Sequence, residues 1–235
     1  KSSGLYSDIS ITSFYGSHII NGAGNGGMLC LNNPKLFKDA TLLRSWGRSS
    51  SIFKENSESI SNRFNIKIDG IDYDKKFIFE KLGYNLEPSE ISAAFGLVQL
   101  KKLKENIRIR IKNFNFHLKF FNQYKKYFIS PEMLKNVKTP WLAFPFLLKQ
   151  NKFFTRKDLQ IYLEKRGVQT RVIFTGNILR QPCMKDYRKI LYKESFLNAD
   201  YVMKYGMMIG CHHGLNFKEI HQIHKYIKNF ISKFE

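Results

Sequence analysis

A histidine set among glycines, serines and an aromatic pair is the feature of this sequence best suited to chemistry. Residues 13–28 read SFYGSHIINGAGNGGM, so a strand-like aromatic start leads through His18 into a glycine-rich bend. Glycine tolerates positive φ angles and close backbone approach, so the bend can gather a hydroxyl, an imidazole and open backbone amides. Imidazole changes its protonation state near neutral pH and can act as base or acid. We therefore predict an active-site loop with His18 as its catalytic base.

The glycines of this bend also match a dinucleotide-binding pattern. Gly22, Gly24 and Gly27 form G-x-G-x-x-G, which requires a helix to begin there and an acidic residue about 20 positions later. Here the glycines precede the apolar run MLCL and the turn NNP, and the residues about 20 positions on read LRSWGR. The context therefore argues against a nucleotide-binding Rossmann unit.

The first half of the chain supplies the elements that position this loop. Strands are expected at 8–15 and 28–31, on either side of the bend. Apolar residues with helical spacing predict a helix over 34–46 that ends at Gly47. Residues 49–79 are polar and predict a long, irregular surface loop. Ser89 is a candidate N-cap for a helix through Leu103, and a second long helix is expected over 107–121.

The second half predicts a small layer of strands and helices. The pairs Thr155 with Asp158 and Asn216 with Glu219 are capping boxes that open two helices, the second of them the last helix of the chain. Strands are expected at 141–148, 168–174 and 207–211. The fold class is therefore α/β, with a boundary that divides the chain into 1–120 and 121–235. His221 and His224 are expected on a solvated face of the last helix.

Composition limits the class of protein. The chain has 235 residues, of which 43% are hydrophobic, and no run reaches the roughly 18 apolar residues of a membrane span. It begins KSSG, which suggests a segment of a larger protein. Its cysteines, Cys30, Cys183 and Cys211, lack C-x-x-C spacing. We therefore expect no metal site, no disulfide framework, and a reducing, cytoplasmic location.

The formal net charge of +20 raises the possibility of nucleic-acid binding. The lysines and arginines are spread along the whole chain, and no common nucleic-acid motif is present. A diffuse positive charge would also suit an anionic substrate such as a nucleotide sugar. We expect neither nucleic acid nor membrane as a partner, and keep a basic nucleic-acid-binding module as an alternative.

Taken together, the blocks of this sequence resemble the DegT/StrS family of nucleotide-sugar aminotransferase-like enzymes. The resemblance implies the type I fold of aminotransferases that depend on pyridoxal phosphate (PLP). The chain would supply the C-terminal part of the PLP-binding large domain and the small α/β domain. The matching pieces are SFY at 13–15, the loop 18–27, SWGR at 45–48, GYN at 83–85 with AA at 93–94, WLAFP at 141–145, TR at 170–171 and GNILRQP at 176–182.

His18 stands where most of this family carries the lysine that binds the coenzyme covalently. A histidine there is similar to the 3-dehydratase branch, which removes the C3 hydroxyl of a nucleotide-diphosphate 4-keto-6-deoxy sugar. The implied cofactor is PLP together with its amine form, pyridoxamine phosphate. His18 would take a proton from the coenzyme and assist loss of the hydroxyl. The family implies a role in deoxysugar and surface-polysaccharide biosynthesis, including O-antigen and lipopolysaccharide.

Two sub-branches differ in whether they hold an iron–sulfur cluster or need none and use glutamate to regenerate the amine form of the coenzyme. One holds an iron–sulfur cluster on cysteines just after Trp-Gly-Arg, but residues 49–79 contain no cysteine. We therefore expect no cluster, and glutamate as the amino donor. The family also implies a homodimer with shared active sites.

The resemblance assigns roles to further residues. Ser13 and Asn85 would bind the cofactor phosphate, Asn85 that of the neighbouring subunit. Arg48 and Arg171 would hold the sugar or the diphosphate, since arginine binds such groups bidentately. Asn177 and Arg180 complete the expected substrate-binding set.

Other classes of function remain open. The chain could be a non-catalytic fragment or paralogue of a sugar aminotransferase that binds nucleotide sugar or a partner subunit. It could also be an aminotransferase that lost its lysine and is inactive.

Overall fold

The computed structural model describes residues 3–52, 60–187 and 195–235. The chain divides into two compact units, Lys1–Lys101 (unit 1) and Lys102–Glu235 (unit 2). The expected domains, 1–120 and 121–235, stay a prediction.

Unit 1 opens with an antiparallel hairpin. Strand β1 (Ile9–Ser13) pairs with β2 (Gly27–Leu31), from Ile9 opposite Leu31 to Ser13 opposite Gly27. Isoleucine and threonine in β1 favour an extended backbone. The structure confirms the two strands expected on either side of the glycine-rich bend.

Helix α1 (Pro34–Arg44) follows the hairpin. The side-chain oxygen of Asn33 accepts hydrogen bonds from the backbone N–H groups of Lys35 and Leu36 at 2.8 and 3.3 Å. Pro34 occupies the first turn, where a backbone N–H has no partner within the helix. These two features explain why the helix begins here, as the sequence predicted.

The expectation of an irregular loop over 49–79 is wrong for much of its described part. A short helix, α2 (Ile60–Phe64), precedes a second hairpin of β3 (Ile66–Ile68) and β4 (Ile71–Tyr73). The two strands are joined by Asp69 and Gly70, whose φ angles are +48° and +84°. An Asp-Gly pair with both φ angles positive is a preferred two-residue hairpin turn. Residues 53–59 lie outside the described residues.

A single helix, α3 (Glu90–Phe121), replaces the two helices expected over this region. It begins immediately after Ser89, and its 32 residues continue across the predicted break. From Leu97 to Phe121 the sequence contains neither glycine nor proline, so no stop signal interrupts the backbone. Glu105 and Arg108 form an ion pair of 2.6 Å one turn apart, in the region of that break.

Unit 2 contains four strands and three helices after α3. The strands are β5 (Phe128–Ile129), β6 (Ala143–Leu148), β7 (Thr170–Arg171) and β8 (Gly206–Gly210), and the helices are α4 (Arg156–Glu164), α5 (Leu197–Tyr205) and α6 (Phe217–Ile231). The strands form one antiparallel sheet in the order β5-β6-β8-β7. Strand β8 follows helix α5 without a gap, and the expected strand at 168–174 is reduced to two residues. Neither α5 nor β5 was expected.

Both predicted capping boxes are present. The Thr155 side chain accepts a hydrogen bond from the Asp158 backbone N–H at 3.2 Å, and Asp158 accepts from the Thr155 N–H at 2.8 Å. Asn216 and Glu219 exchange the equivalent bonds at 3.0 and 2.7 Å. Each pair satisfies backbone donors that the first turn of a helix leaves open.

The core of unit 2 is rich in aromatic rings. Along β6, Phe144, Phe146 and Leu148 point inward and are almost completely buried. The Phe121 ring of α3 lies 4.4 Å from that of Phe146, centroid to centroid. Leu159 of α4 is fully buried in the same cluster. Each such side chain contributes roughly 1.5–3 kcal/mol through burial.

Two histidines lie inside this unit. His117 of α3 and His224 of α6 are almost fully buried, with His117 Nδ1 3.0 Å from His224 Nε2. His117 Nε2 lies 3.1 Å from the Gly210 carbonyl, which can only accept, so Nε2 carries the hydrogen and Nδ1 accepts from His224. Burial lowers the pKa of His117 to about 4 and that of His224 to about 3. The prediction of a solvated face is therefore wrong for His224, although His221 is exposed.

Within the described part of the chain, none of the helices combines the length and hydrophobicity that crossing a bilayer requires.

Replacing a core leucine should destabilise unit 2 far more than replacing an exposed one. We expect Leu159→Ala to lower the free energy of unfolding by about 2–5 kcal/mol, because it leaves a cavity in a packed core. Leu134 is 73% exposed, so Leu134→Ala should change stability by no more than about 0.5 kcal/mol. Urea unfolding of both variants measures the difference, and equal losses would contradict the described core.

Acid should destabilise the protein through the buried histidine pair. Both pKa values are lowered on folding, so between about pH 6.5 and pH 4 the unfolded chain binds more protons than the folded chain. The free energy of unfolding should therefore decrease as the pH is lowered through this range, by up to about 1.4 kcal/mol per pH unit for each additional proton that the unfolded chain binds.

Urea unfolding at several pH values measures this slope. His224→Gln should reduce it clearly, whereas His221→Gln should change it much less, because His221 is exposed and is the smallest of the causes that lower the His224 pKa. A slope that His224→Gln does not alter would contradict the buried pair.

Candidate active site

The hairpin register determines where the glycine-rich loop begins and ends. Ser13 and Gly27 are the last paired residues, so the loop of residues 14–26 leaves and returns at one place. Hydrogen bonds continue into it: the Phe14 N–H donates to the Gly26 carbonyl at 2.9 Å, and the Gly16 N–H to the Gly24 carbonyl at 3.0 Å. The loop is therefore a folded structure held by its own backbone.

Gly22 shows why this loop needs a glycine at its centre. It is buried, and its N–H donates to the Phe14 carbonyl at 2.9 Å. A Cβ atom at this position would lie 2.5 Å from the Asn25 carbonyl oxygen, closer than any side chain allows. The loop can fold back on itself only because Gly22 has no side chain.

His18 lies in this loop, in a half-buried position. Its backbone N–H donates to the Tyr15 carbonyl at 2.9 Å, which forms a tight turn. The two rings meet edge to face, with centroids 6.4 Å apart. Residues 14–26 contain neither lysine nor arginine, so the His18 imidazole is the basic side chain of this loop. A half-buried imidazole can exchange protons with a bound molecule.

Ser13 stands at the entrance of the loop. Its Oγ accepts a hydrogen bond from the Tyr15 backbone N–H at 3.2 Å. A hydroxyl that accepts in this way can still donate its own hydrogen, for example to a phosphate oxygen. The Tyr15 backbone thus contacts both Ser13 and His18, and links the two predicted site residues.

The segments around Arg48 and Asn85, both expected at the site, lie side by side. Ser45 and Asn85 form an isolated antiparallel bridge, and the Trp46 N–H donates to the Tyr84 carbonyl at 2.8 Å. Ser45 also donates its hydroxyl hydrogen to the Glu87 carboxylate. Asn85 itself is exposed. Its backbone is fixed, and its amide is accessible for contact.

The Arg48 guanidinium lies over the Trp46 ring, 5.2 Å from its centroid. Its Nε is buried and has no hydrogen-bond partner in the described part of the chain. A buried donor without a partner costs free energy, so this arrangement favours a bound acceptor. Arg48 is therefore a better candidate for anion binding than its sequence position alone indicated.

The remaining predicted residues belong to unit 2. Arg171 lies in β7 opposite Met208, and is exposed. Asn177 is only 3% exposed, donates to Asp200 at 2.7 Å and accepts from the Leu179 N–H at 3.1 Å. Arg180 donates to both oxygens of Asp200, at 2.6 Å for the second. Arg180 and Asn177 together lower the Asp200 pKa to about 2.

The Asp200 contacts change the expectation for two residues. Asn177 and Arg180 are both hydrogen-bonded to Asp200 within their own unit. This supports a role in fixing the loop that contains them rather than in direct substrate contact. Sequence reasoning missed Asp200 because it lies 20 or more positions away, in the unexpected helix α5. It also missed the ring contacts that Tyr15 and Trp46 make, although both adjoin the predicted site residues.

Among the described residues, no three histidine, cysteine or acidic side chains are grouped so as to hold a metal ion.

Comparison with known proteins now places the chain in a family. The model of the DegT/DnrJ/EryC1/StrS aminotransferase family matches residues 1–228. The chain belongs to this family. Its members depend on PLP, which agrees with the cofactor predicted above.

Two curated relatives are similar over almost the whole chain. The lipopolysaccharide biosynthesis protein RfbH of Salmonella typhimurium is 29% identical over 234 residues, which are 99% of this chain and 52% of the relative. The GDP-4-keto-6-deoxy-D-mannose 3-dehydratase of Escherichia coli O55:H7 is 29% identical over 217 residues, 92% of this chain and 53% of the relative. The chain thus spans about half the length of the curated relatives it matches.

Solved structures of this 3-dehydratase share the fold. The E. coli enzyme with bound hydrated PLP has a TM-score of 0.79 and 28% identity, over 96% of this chain and 56% of that one. One with a trapped PLP-glutamate geminal diamine has a TM-score of 0.78 and 26% identity, over 96% and 56%. A ColD variant has a histidine replaced by lysine and the preceding serine by asparagine. Its TM-score is 0.79 and its sequence identity 26%, over 97% of this chain and 57% of that one. These matches confirm the α/β fold of PLP-dependent aminotransferases.

Replacing Gly47 should disrupt the pairing that positions Arg48 and Asn85. A Cβ at Gly47 would lie 1.7 Å from the Lys81 carbonyl oxygen, and its φ is +79°. Gly70 has a similar φ of +84° with nothing within 4 Å, so it is a matched control. Gly70→Ala should cost about 1–2 kcal/mol from backbone strain alone, and Gly47→Ala should cost clearly more. Thermal unfolding of both variants measures the difference, and equal losses would contradict the described pairing.

Proposed function

We propose that this chain takes part in PLP-dependent removal of the C3 hydroxyl from a 4-keto-6-deoxy nucleotide sugar, a 3-dehydratase reaction. The observation that carries the proposal is His18, a half-buried imidazole in a hairpin loop whose residues 14–26 include no lysine. An imidazole can move protons at this place without forming a lasting covalent bond to an aldehyde.

The relatives support this choice among the activities of the family. Two of the solved structures concern one dehydratase that binds PLP and glutamate, and the ColD variant carries replacements at adjacent serine and histidine residues. Ser17 and His18 are such a pair in this chain. The name of RfbH supports a place in lipopolysaccharide and deoxysugar biosynthesis.

The loop fits one end of the coenzyme. The Ser13 hydroxyl can still donate its hydrogen, which suits the phosphate of the coenzyme. The His18 imidazole, one turn away, suits the carbon of the coenzyme at which the reaction takes place. When bound, the coenzyme supplies an amine for the C4 ketone of the sugar and a ring that accepts electrons. His18 would accept and return a proton at the reacting carbon, and would protonate the departing C3 hydroxyl. Asn85 would bind the phosphate in the neighbouring subunit.

Two arginines are proposed to hold the substrate. The half-buried guanidinium of Arg48 and the exposed guanidinium of Arg171 can each bind a diphosphate or a sugar hydroxyl. Asn177 and Arg180 would contribute within unit 2, by holding their loop in place through Asp200.

A homodimer with shared active sites is part of the proposal. Among the described residues of unit 1, Leu42 is the one buried hydrophobic side chain, whereas Ile11 and Ile91 are each 80% exposed. Surface of this kind is typical of interfaces that further protein covers. We also propose glutamate as the amino donor. We propose the cytoplasm as the location, since all three cysteines are free thiols.

The competing proposal is a non-catalytic paralogue that binds nucleotide sugar or a partner subunit. It is favoured by the absence of lysine from residues 14–26, because such a loop cannot hold the coenzyme covalently. Such a protein would not convert PLP to its amine form.

The experiment follows the visible absorbance of PLP in the whole protein after addition of glutamate. We expect conversion to the amine form, because His18 transfers the required proton. His18→Ala should slow the conversion by about 10²–10⁴-fold, the usual contribution of general acid–base catalysis.

His221→Ala is the matched control, because His221 is exposed and belongs to the last helix. It should react at the wild-type rate. Conversion at an unchanged rate in His18→Ala would contradict the proposed role, and no conversion in the wild type would favour the non-catalytic paralogue.

A further inference from the structure

A cavity of about 370 Å³ lies within unit 2, between the faces of α3 and α6 that look toward each other. Its lining comes from positions 116, 119 and 120 of α3, position 123 in the turn that follows α3, and positions 221, 224, 225 and 228 of α6. Residues three, four and seven positions apart share one face of a helix, so each helix contributes a continuous stripe. The cavity belongs to unit 2, whereas His18, Ser13, Arg48 and Asn85 belong to unit 1.

The floor of this cavity is made of flat rings. The His224 imidazole stacks on Phe120, with centroids 4.0 Å apart and planes within 3° of parallel. Phe116 lies 5.2 Å from His224 and 4.9 Å from His221, again between centroids. Grouped rings of this kind present an apolar surface on which a further planar group can stack.

The rim of the cavity is positively charged. Lys119, Lys225 and Lys228 line it, and the described part of the chain places no carboxylate within 4 Å of any of the three ammonium groups. Lys225 and Lys228 are one helical turn apart, and like charges at this spacing repel each other. A bound anion would offset that repulsion.

We propose that this cavity binds a nucleoside phosphate, with its base on the partly exposed rings of Phe116 and Phe120 and its phosphate at the three lysines. The volume falls in the range of small-ligand sites, which are mostly apolar with a few polar groups that fix orientation. Lysine binds phosphate as a point charge, and bases of any sequence stack on aromatic rings. An acidic peptide would use the lysines but not the ring floor.

The test uses GMP as the probe and two partial ligands for comparison. Guanosine carries the base without the phosphate, and ribose 5-phosphate carries the phosphate without the base. NMR of the imidazole C–H signals reports on the cavity, because His221 and His224 both line it. We expect GMP to shift both signals, and each partial ligand to bind at least about tenfold more weakly, since each lacks one of the two contacts.

Charge reversals on one helix provide matched variants. Lys225→Glu and Lys228→Glu should each weaken GMP binding by about tenfold or more. Lys218→Glu changes the same charge on α6 outside the cavity and should have no effect. Gln123→Glu is a second rim variant, at an exposed position, and should weaken binding without disturbing buried residues.

Arg48→Ala separates this site from the proposed active site, because Arg48 belongs to unit 1. The GMP-induced shifts of His221 and His224 should persist in that variant, even if substrate turnover is lost. The proposal would be overturned by imidazole signals that GMP leaves unmoved, by equal weakening in Lys218→Glu, or by ribose 5-phosphate binding as tightly as GMP. A single-stranded polynucleotide that outcompetes GMP in every variant would also overturn it, in favour of a diffuse nucleic-acid surface.

Discussion

The antiparallel register of β1 and β2 is the constraint on which the candidate active site depends. Because Ser13 pairs with Gly27, the 14–26 loop starts and ends at one point, and its internal hydrogen bonds can form. The Tyr15 backbone then contacts Ser13 through its N–H and His18 through its carbonyl. A shift of one residue would turn every side chain of the hairpin to the opposite face and would separate these groups.

The same principle, a backbone fixed by pairing and a side chain left accessible, recurs at the other candidate residues. The bridge between Ser45 and Asn85 fixes the backbone segments that carry Arg48 and Asn85. Gly47 permits these two segments to approach each other closely. In unit 2, Asp200 performs a similar task by binding both Asn177 and Arg180. Rigid support of this kind is what reactive groups need in order to meet a ligand in one geometry.

The sequence predicted those features that depend on local chemistry. The capping boxes at Thr155 and Asn216, the strands beside the bend and the place of His18 follow from short-range patterns. It did not predict α3 as one helix, because the spacing of apolar residues changes weakly between Leu103 and Ile107 although the backbone continues. It also did not predict the β3–β4 hairpin, whose Asp-Gly turn is a recognisable signal. The burial of His224 and the Asp200 clamp depend on contacts between residues far apart in the chain, which no local pattern contains.

The central claim is that this loop presents His18 to the coenzyme as a proton-transferring group, in place of a lysine that would bind the coenzyme covalently. Borohydride fixes a lysine-bound coenzyme irreversibly, so intact mass after reduction of the PLP-loaded whole protein tests the claim most directly. The account predicts no covalent adduct in the wild type and one adduct at residue 18 in His18→Lys, because a primary amine then stands in the loop. A stoichiometric adduct on any lysine of the wild type would contradict it.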